Sequence, residues 1–168
     1  MRGGSTIGVA LAGDLDQLVE ALRSSRRYGA DALVERRIEG REFSIGVLGD
    51  EALAAVEIST DRELFDYVAK YQEGSADEVA PAPQTDAERD ELQRLAVAAH
   101  RALAQGPHAA SRVDFLQDQT GDFWFLECNG LPGMTVTSLY PKSAAGAGMD
   151  LSQVCDRIVE LSAAVRCG

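Results

Sequence analysis

Asp114, Glu127 and Asn129 are the residues of this sequence best suited to chemistry, three oxygen donors carried by two neighbouring apolar runs, with Arg112 two residues before the first of them. Asp114 stands between Val113 and Phe115, and Glu127 closes the run Phe123-Trp124-Phe125-Leu126. Both carboxylates are therefore expected on strands, beside buried neighbours. Like charges held in such places need a cation. Donors that are all oxygen suit Mg2+, with Mn2+ as an alternative, because these ions keep waters and phosphates as their remaining ligands; zinc prefers nitrogen and sulfur. The chemistry implied is that of nucleotide phosphates.

The elements that must position these groups follow from the hydrophobic pattern. Gly3 to Val9 is a hydroxyl-bearing glycine-rich loop, and Asp14 opens an amphipathic helix from Leu15 to Tyr28 with Leu18, Val19 and Leu22 on its apolar side. Strands are expected over Ala32 to Ile38, Glu42 to Leu48 and Ala52 to Ile58, with Gly40 and Gly49-Asp50 as turns. Thr60 to Pro83 is a long polar loop around the aromatic island Phe65 to Tyr71, a length that points to a working loop. Asp86 to Leu103 predicts a helix stopped by Gly106-Pro107, with His100 on its surface. Arg112 to Leu116 and Phe123 to Glu127 predict a hairpin, and Leu151 to Val165 a last helix after the small residues Ser143 to Gly148. This order gives an α+β domain in which helices pack against one face of an antiparallel sheet.

Composition narrows the partners. With 168 residues, 45% of them hydrophobic and 26% charged, the chain fits one ordinary soluble domain. A formal charge of −11 without a basic stripe argues against nucleic acid or an anionic membrane as partner. Cys128, Cys155 and Cys167 lack the spacing of a disulfide framework or zinc site, which makes the reducing cytoplasm the expected compartment. No apolar run approaches the roughly 20 residues that span a bilayer.

The string Arg112-x-Asp114…Glu127-x-Asn129-x-x-Pro132-Gly133 resembles the signature of the ATP-grasp enzymes and, in its detail, of the D-alanine:D-alanine ligase family. Four more stretches resemble that family in the same order: Gly4-Ser5-Thr6-Ile7-Gly8, Val34-Glu35 through Glu42-Phe43, Asp66 through Tyr71, and Met134-Thr135 through Pro141. Five colinear matches carry weight that a single G-S-T-x-G or E-x-N does not. The resemblance covers nearly the whole of residues 1–168 and implies the C-terminal ATP-grasp domain of such a ligase.

That resemblance also implies roles. Asp114, Glu127 and Asn129 would hold two Mg2+ ions on the ATP phosphates, while Arg112 and the backbone N–H of Gly133 would face the substrate carboxylate and its oxyanion. Glu35 and Glu42 would bind the nucleoside, with Ile38 packed on the base. Lys70 would reach the phosphates and Gly4, Ser5 and Thr6 would close over them. Tyr71, Ser138 and Leu139 would meet the second D-alanine; relatives that make the depsipeptide tend to carry His at the Tyr71 position. The implied activity is ATP-dependent C–N ligation through an acyl phosphate, for peptidoglycan synthesis. A full-length member has further domains before the glycine-rich loop and commonly dimerises through them, so the chain reads as a C-terminal portion, monomeric and inactive by itself. The competing reading is a magnesium-nucleotide-binding module or inactive remnant, or a relative that joins D-alanine to D-lactate or D-serine. Cys128, Gly130 and Val68 depart from the family pattern.

Overall fold

The computed structural model describes residues 8–29, 31–59, 77–103 and 106–166. The chain divides into two units, residues 1–37 with 60–76, and residues 38–59 with 77–168. In the first, helix α1 (Leu15–Ser25) starts where expected: the Asp14 carboxylate accepts the N–H of Gln17 at 2.8 Å and so satisfies one of the amides that a helix start leaves without a partner. The strand expected over Ala32 to Ile38 is absent. Residues 31–39 form no regular element, and none of the described strands pairs with them. Apolar patterning cannot make a strand without a neighbouring ladder.

The second unit is built on an antiparallel sheet of β1 (Gly40–Leu48), β2 (Glu51–Ser59), β3 (Asp77–Val79), β4 (Ala110–Asp118) and β5 (Phe123–Asn129), in the order β3-β2-β1-β4-β5. Gly40, expected as a turn, opens β1 instead. A Cβ there would lie 1.8 Å from the carbonyl oxygen of Gln117, so only glycine lets the strand begin this close to β4. Phe43, Ile45, Val47, Val113 and Phe115 form one face of the sheet and pack on Leu92 and Ala96 of helix α2 (Asp86–Ala102). Thr85 and Glu88 cap that helix reciprocally. His100 continues the stripe of Leu92 and Ala96 at steps of four residues. It is fully buried, in contrast to the expected surface position, with Nδ1 2.7 Å from the Ser111 hydroxyl and Nε2 2.8 Å from the Gly106 carbonyl. Since a carbonyl can only accept, Nε2 carries the proton.

The opposite face is covered too. Leu48 and Leu53 pack on Tyr140 and Ala144 of helix α3 (Leu139–Gly146) and on Val154 of helix α4 (Leu151–Arg166). The α+β class and the antiparallel sheet are as expected, but the helices flank both faces. The reason is α3, a helix that the sequence pattern does not announce. It is held by burial of Tyr140, whose hydroxyl donates to the Val47 carbonyl at 3.2 Å, and by Ser143.

Ser143 fills a defect in the ladder. Ile45 pairs with Ala55 but Val47 pairs with Ala52, so two residues of β2 oppose Gly46. The Ser143 hydroxyl accepts the Gly46 N–H at 2.9 Å and donates to the Ala54 carbonyl at 2.5 Å, closing the bulge from outside the sheet. A Cβ at Gly46 would stand 2.8 Å from Leu53 and 3.1 Å from both Ser143 and Tyr140. Glycine is what allows α3 to sit so low. Among the described residues no helix is long and apolar enough to cross a membrane.

Candidate active site

The site is assembled on the face that α3 partly covers, at one end of β4 and β5. Arg112 and Asp114 share this face because they are two residues apart on one strand. Glu127 and Asn129 would not share it if β5 alternated strictly. Phe123 packs on the α2 core, and Phe125, though exposed, lies on the same face and meets Phe115 edge to face at 6.0 Å between ring centres. Strict alternation would send Glu127 after them. Instead Phe115 pairs with Phe125 and Asp114 with Glu127, leaving Leu126 as an extra residue in β5. This bulge moves Glu127 and Asn129 to the face of Asp114 and Arg112, and returns Cys128 to the core.

The resulting geometry is tight. Arg112 Nε donates to the two Asp114 oxygens at 2.9 and 3.1 Å, and one terminal nitrogen, Nη2, lies 2.7 Å from Asp114 Oδ2 and 2.9 Å from Glu127 Oε1. The two carboxylates thus converge on a single positive nitrogen. Asp114 is held from behind by the buried hydroxyl of Ser44, which donates to Oδ1 at 2.7 Å. The side chains of Arg112 and Asp114 are 16% and 10% exposed, against 54% for Glu127, so the pair is sheltered and Glu127 forms its open rim. Asn129 pairs with Arg112 across the ladder, and its Oδ1 accepts the Leu131 N–H at 2.9 Å, an Asx turn that begins the loop to Gly133.

Gly133 and Ser138 are neighbours, as a Cβ on Gly133 would come within 2.8 Å of the Ser138 hydroxyl. That hydroxyl accepts the Thr135 N–H at 3.2 Å and lies 2.8 Å from Thr135 Oγ1, folding the loop onto the start of α3, where Leu139 is the first helical residue. Glu42, half-buried, stands on the same face of β1 as Ser44, two positions along. Ile38 is half-buried at the start of the second unit, whereas Glu35 is exposed and belongs to the first. Gly4, Ser5, Thr6, Lys70 and Tyr71 lie outside the described residues.

Ser44 is the site residue that sequence reasoning missed. The signal was present: Glu42, Ser44 and Gly46 alternate with Phe43, Ile45 and Val47, a polar stripe facing away from the α2 core. Among the described residues no three His, Cys, Asp or Glu side chains gather as a metal cluster. The candidate donors are two carboxylates and an amide. All offer oxygen, and the two charged members already converge on one cationic atom, which fits a hard divalent ion.

An antiparallel sheet flanked by helices, with Arg, Asp, Glu and Asn drawn to one end of adjacent strands, is the architecture expected of the C-terminal part of an ATP-grasp enzyme. The family model described as D-ala D-ala ligase C-terminus matches residues 1–160. The chain belongs to that family. It is 42% identical over 159 residues to the D-alanine–D-alanine ligase of Citrifermentans bemidjiense, covering 95% of this chain and 52% of that relative. It is also similar to the crystal structure of D-alanine–D-alanine ligase from Bacillus anthracis, with a TM-score of 0.82 and 32% identity over 98% of this chain and 53% of that one. The same Bacillus anthracis enzyme complexed with ATP gives a TM-score of 0.77 and 28% identity over 91% and 48% of the two chains. The chain spans about half the length of the curated relatives it matches.

Proposed function

We propose that residues 1–168 form the C-terminal ATP-grasp portion of a cytoplasmic ATP-dependent D-alanine–D-alanine ligase that supplies peptidoglycan precursors. The observation that carries this reading is the convergence of Asp114 and Glu127 on one cationic nitrogen beside Asn129. In the reaction the γ-phosphoryl group of ATP passes to the carboxylate of one D-alanine, and the amine of a second attacks the acyl phosphate, leaving dipeptide, ADP and phosphate. Asp114, Glu127 and Asn129 would hold two Mg2+ ions, whose part is to neutralise charge on the phosphates. Arg112 presents its guanidinium fork to the reacting carboxylate, and the Gly133 N–H takes the oxyanion, made accessible because no Cβ stands there. Glu42, with Glu35 and Ile38, binds the nucleoside; Lys70, Gly4, Ser5 and Thr6 hold its phosphates. Tyr71, Ser138 and Leu139 orient the second D-alanine. No covalent enzyme intermediate is required, and positioning with charge stabilisation accounts for the rate. Full-length relatives are expected to work as homodimers and this portion as a monomer.

Calorimetric titration with Mg-ATP tests the reading. The wild-type chain binds at millimolar nucleotide, and Asp114→Asn and Glu127→Gln each weaken binding at least about tenfold, as loss of a charged ligand demands. Joined to the upstream half of the Citrifermentans bemidjiense ligase, the chain releases phosphate on addition of D-alanine. Absence of binding heat from the wild type, or equal binding by the Asp114→Asn chain, refutes the proposal.

A further inference from the structure

Arg112 stands where a metal ion would have to stand. Its Nη2 occupies the point between Asp114 Oδ2 and Glu127 Oε1, and its Nε takes both oxygens of Asp114, one of which also accepts from Ser44. Between them these contacts engage every oxygen of the more buried carboxylate. A divalent ion and the guanidinium therefore compete for the same oxygens, and their like charges oppose joint occupancy. We propose that Arg112 is the resident counter-cation of the clamp, and that a divalent ion entering between Asp114 and Glu127 displaces it from both carboxylates. The inference rests on the reading of Asp114 and Glu127 as metal ligands, and it gives Arg112 a function apart from its contact with substrate.

The arrangement has a physical purpose. Asp114 is sheltered, and two carboxylates meeting in such a place without a cation repel each other and lose hydration. The Arg112 fork satisfies both, at the cost of weakening the clamp for a bare ion. Displacement turns the guanidinium away from Asp114 and Glu127. Metal occupancy then decides whether Arg112 serves the carboxylates or a ligand.

Mn2+ is the probe, with free ion counted by electron paramagnetic resonance in nucleotide-free buffer. Arg112→Met removes the competing charge and binds Mn2+ roughly tenfold more tightly than wild type, the scale expected when a unit charge a few ångströms away is deleted in a partly screened site. Arg112→Lys keeps the charge without the fork and falls between the two. In wild-type protein, saturating Mg2+ also speeds solvent exchange of the Arg112 Nε–H in 15N NMR spectra, a readout that stands even if Arg112→Met does not fold. An Arg112→Met chain that binds Mn2+ no tighter than wild type overturns the inference, as does an Nε–H that stays protected under Mg2+. If Asp114→Asn binds Mn2+ as well as wild type, the metal-ligand reading itself fails. If Asp114→Asn loses Mn2+ while Arg112→Met gains nothing, that reading stands and this inference falls alone.

Discussion

Replacing Ser143 by alanine removes one oxygen atom and leaves two backbone groups without partners. The Gly46 N–H, bonded to that hydroxyl at 2.9 Å, and the Ala54 carbonyl, bonded at 2.5 Å, face each other across the bulge between β1 and β2 and cannot reach one another through the ladder. Each buried group left unpaired costs about 1–3 kcal/mol, and because the bond to the Ala54 carbonyl is only part-buried the loss for Ser143→Ala falls in the lower part of the resulting range of about 2–6 kcal/mol, a large effect for so small a truncation. The lost volume is minor, so a cavity contributes little. In urea unfolding this becomes a drop in midpoint on the order of 1 M with the slope unchanged, for a slope near the middle of the usual range. Amide hydrogen exchange locates the effect, with the Gly46 N–H losing protection while the amides of Val113 and Phe115 on β4 change only with global stability. Ser138→Ala is the control, because that hydroxyl lies in the loop at the start of α3 and its removal costs about 0.5 kcal/mol or less. A Ser143→Ala midpoint within about 0.2 M of wild type, or a Gly46 amide that stays protected, would refute the argument that the hydroxyl closes the ladder. The same variant bears on function, because Ser143 seats the helix that begins with Ser138 and Leu139.

Two further outcomes follow from the geometry. The Thr85 backbone N–H, then the Thr85 hydroxyl and the Gln117 amide, hold the Glu88 carboxylate down to about 2. A lowered folded value stabilises the protein above the ordinary carboxylate range and is lost as pH falls from about 4.5 toward 2, so thermal midpoints drop through that window. Asp118, held to about 2 first by the Thr120 hydroxyl and then by the Trp124 N–H, adds to the same slope; Glu88→Gln flattens it, and its deficit against wild type shrinks as pH falls toward and below about 2. Gly133→Ala places a methyl group 2.8 Å from the Ser138 hydroxyl on an exposed loop. Its thermal midpoint stays close to wild type, with a stability change of about 1 kcal/mol or less, while phosphate release by the joined ligase falls at least about tenfold as the proposed oxyanion donor shifts.

The sequence reveals most of the sheet, because Phe43, Ile45 and Val47 alternate cleanly with Glu42, Ser44 and Gly46, and Val113 and Phe115 flank Asp114. Helices α1, α2 and α4 are legible from their apolar spacing and, for α1, from Asp14. Helix α3 is not. It has Pro141 at its third position and a run of small residues, and it owes its existence to tertiary burial of Tyr140 and Ala144. Ala32 to Ile38 fails in the opposite sense, strand-like in pattern without a ladder to join. Within the site, Arg112, Asp114, Glu127 and Asn129 are legible by residue type and spacing. Their common face is not, since it depends on a one-residue bulge that no periodicity displays. His100 was readable after all: the step of four from Leu92 through Ala96 leads to it, and only its polar ring argued for the surface.

The extra residue at Leu126 makes β5 two strands in one. Phe123 and Phe125 answer to the core, Glu127 and Asn129 to the site, and the parity of one half no longer dictates that of the other. The hydrophobic half can therefore accept changes in aromatic packing without turning Glu127 or Asn129 away from Asp114. The converse constraint is severe. If Leu126 instead took a regular place in the ladder opposite Asp114, inside and outside would exchange across the whole Glu127-Cys128-Asn129 segment, turning the Glu127 carboxylate to the core face and the Cys128 thiol to the face of Arg112; removing Leu126 outright would leave Glu127 opposite Asp114 and on its face. What the strand must keep is thus the relation between its two halves, Phe125 opposite Phe115 and Glu127 opposite Asp114.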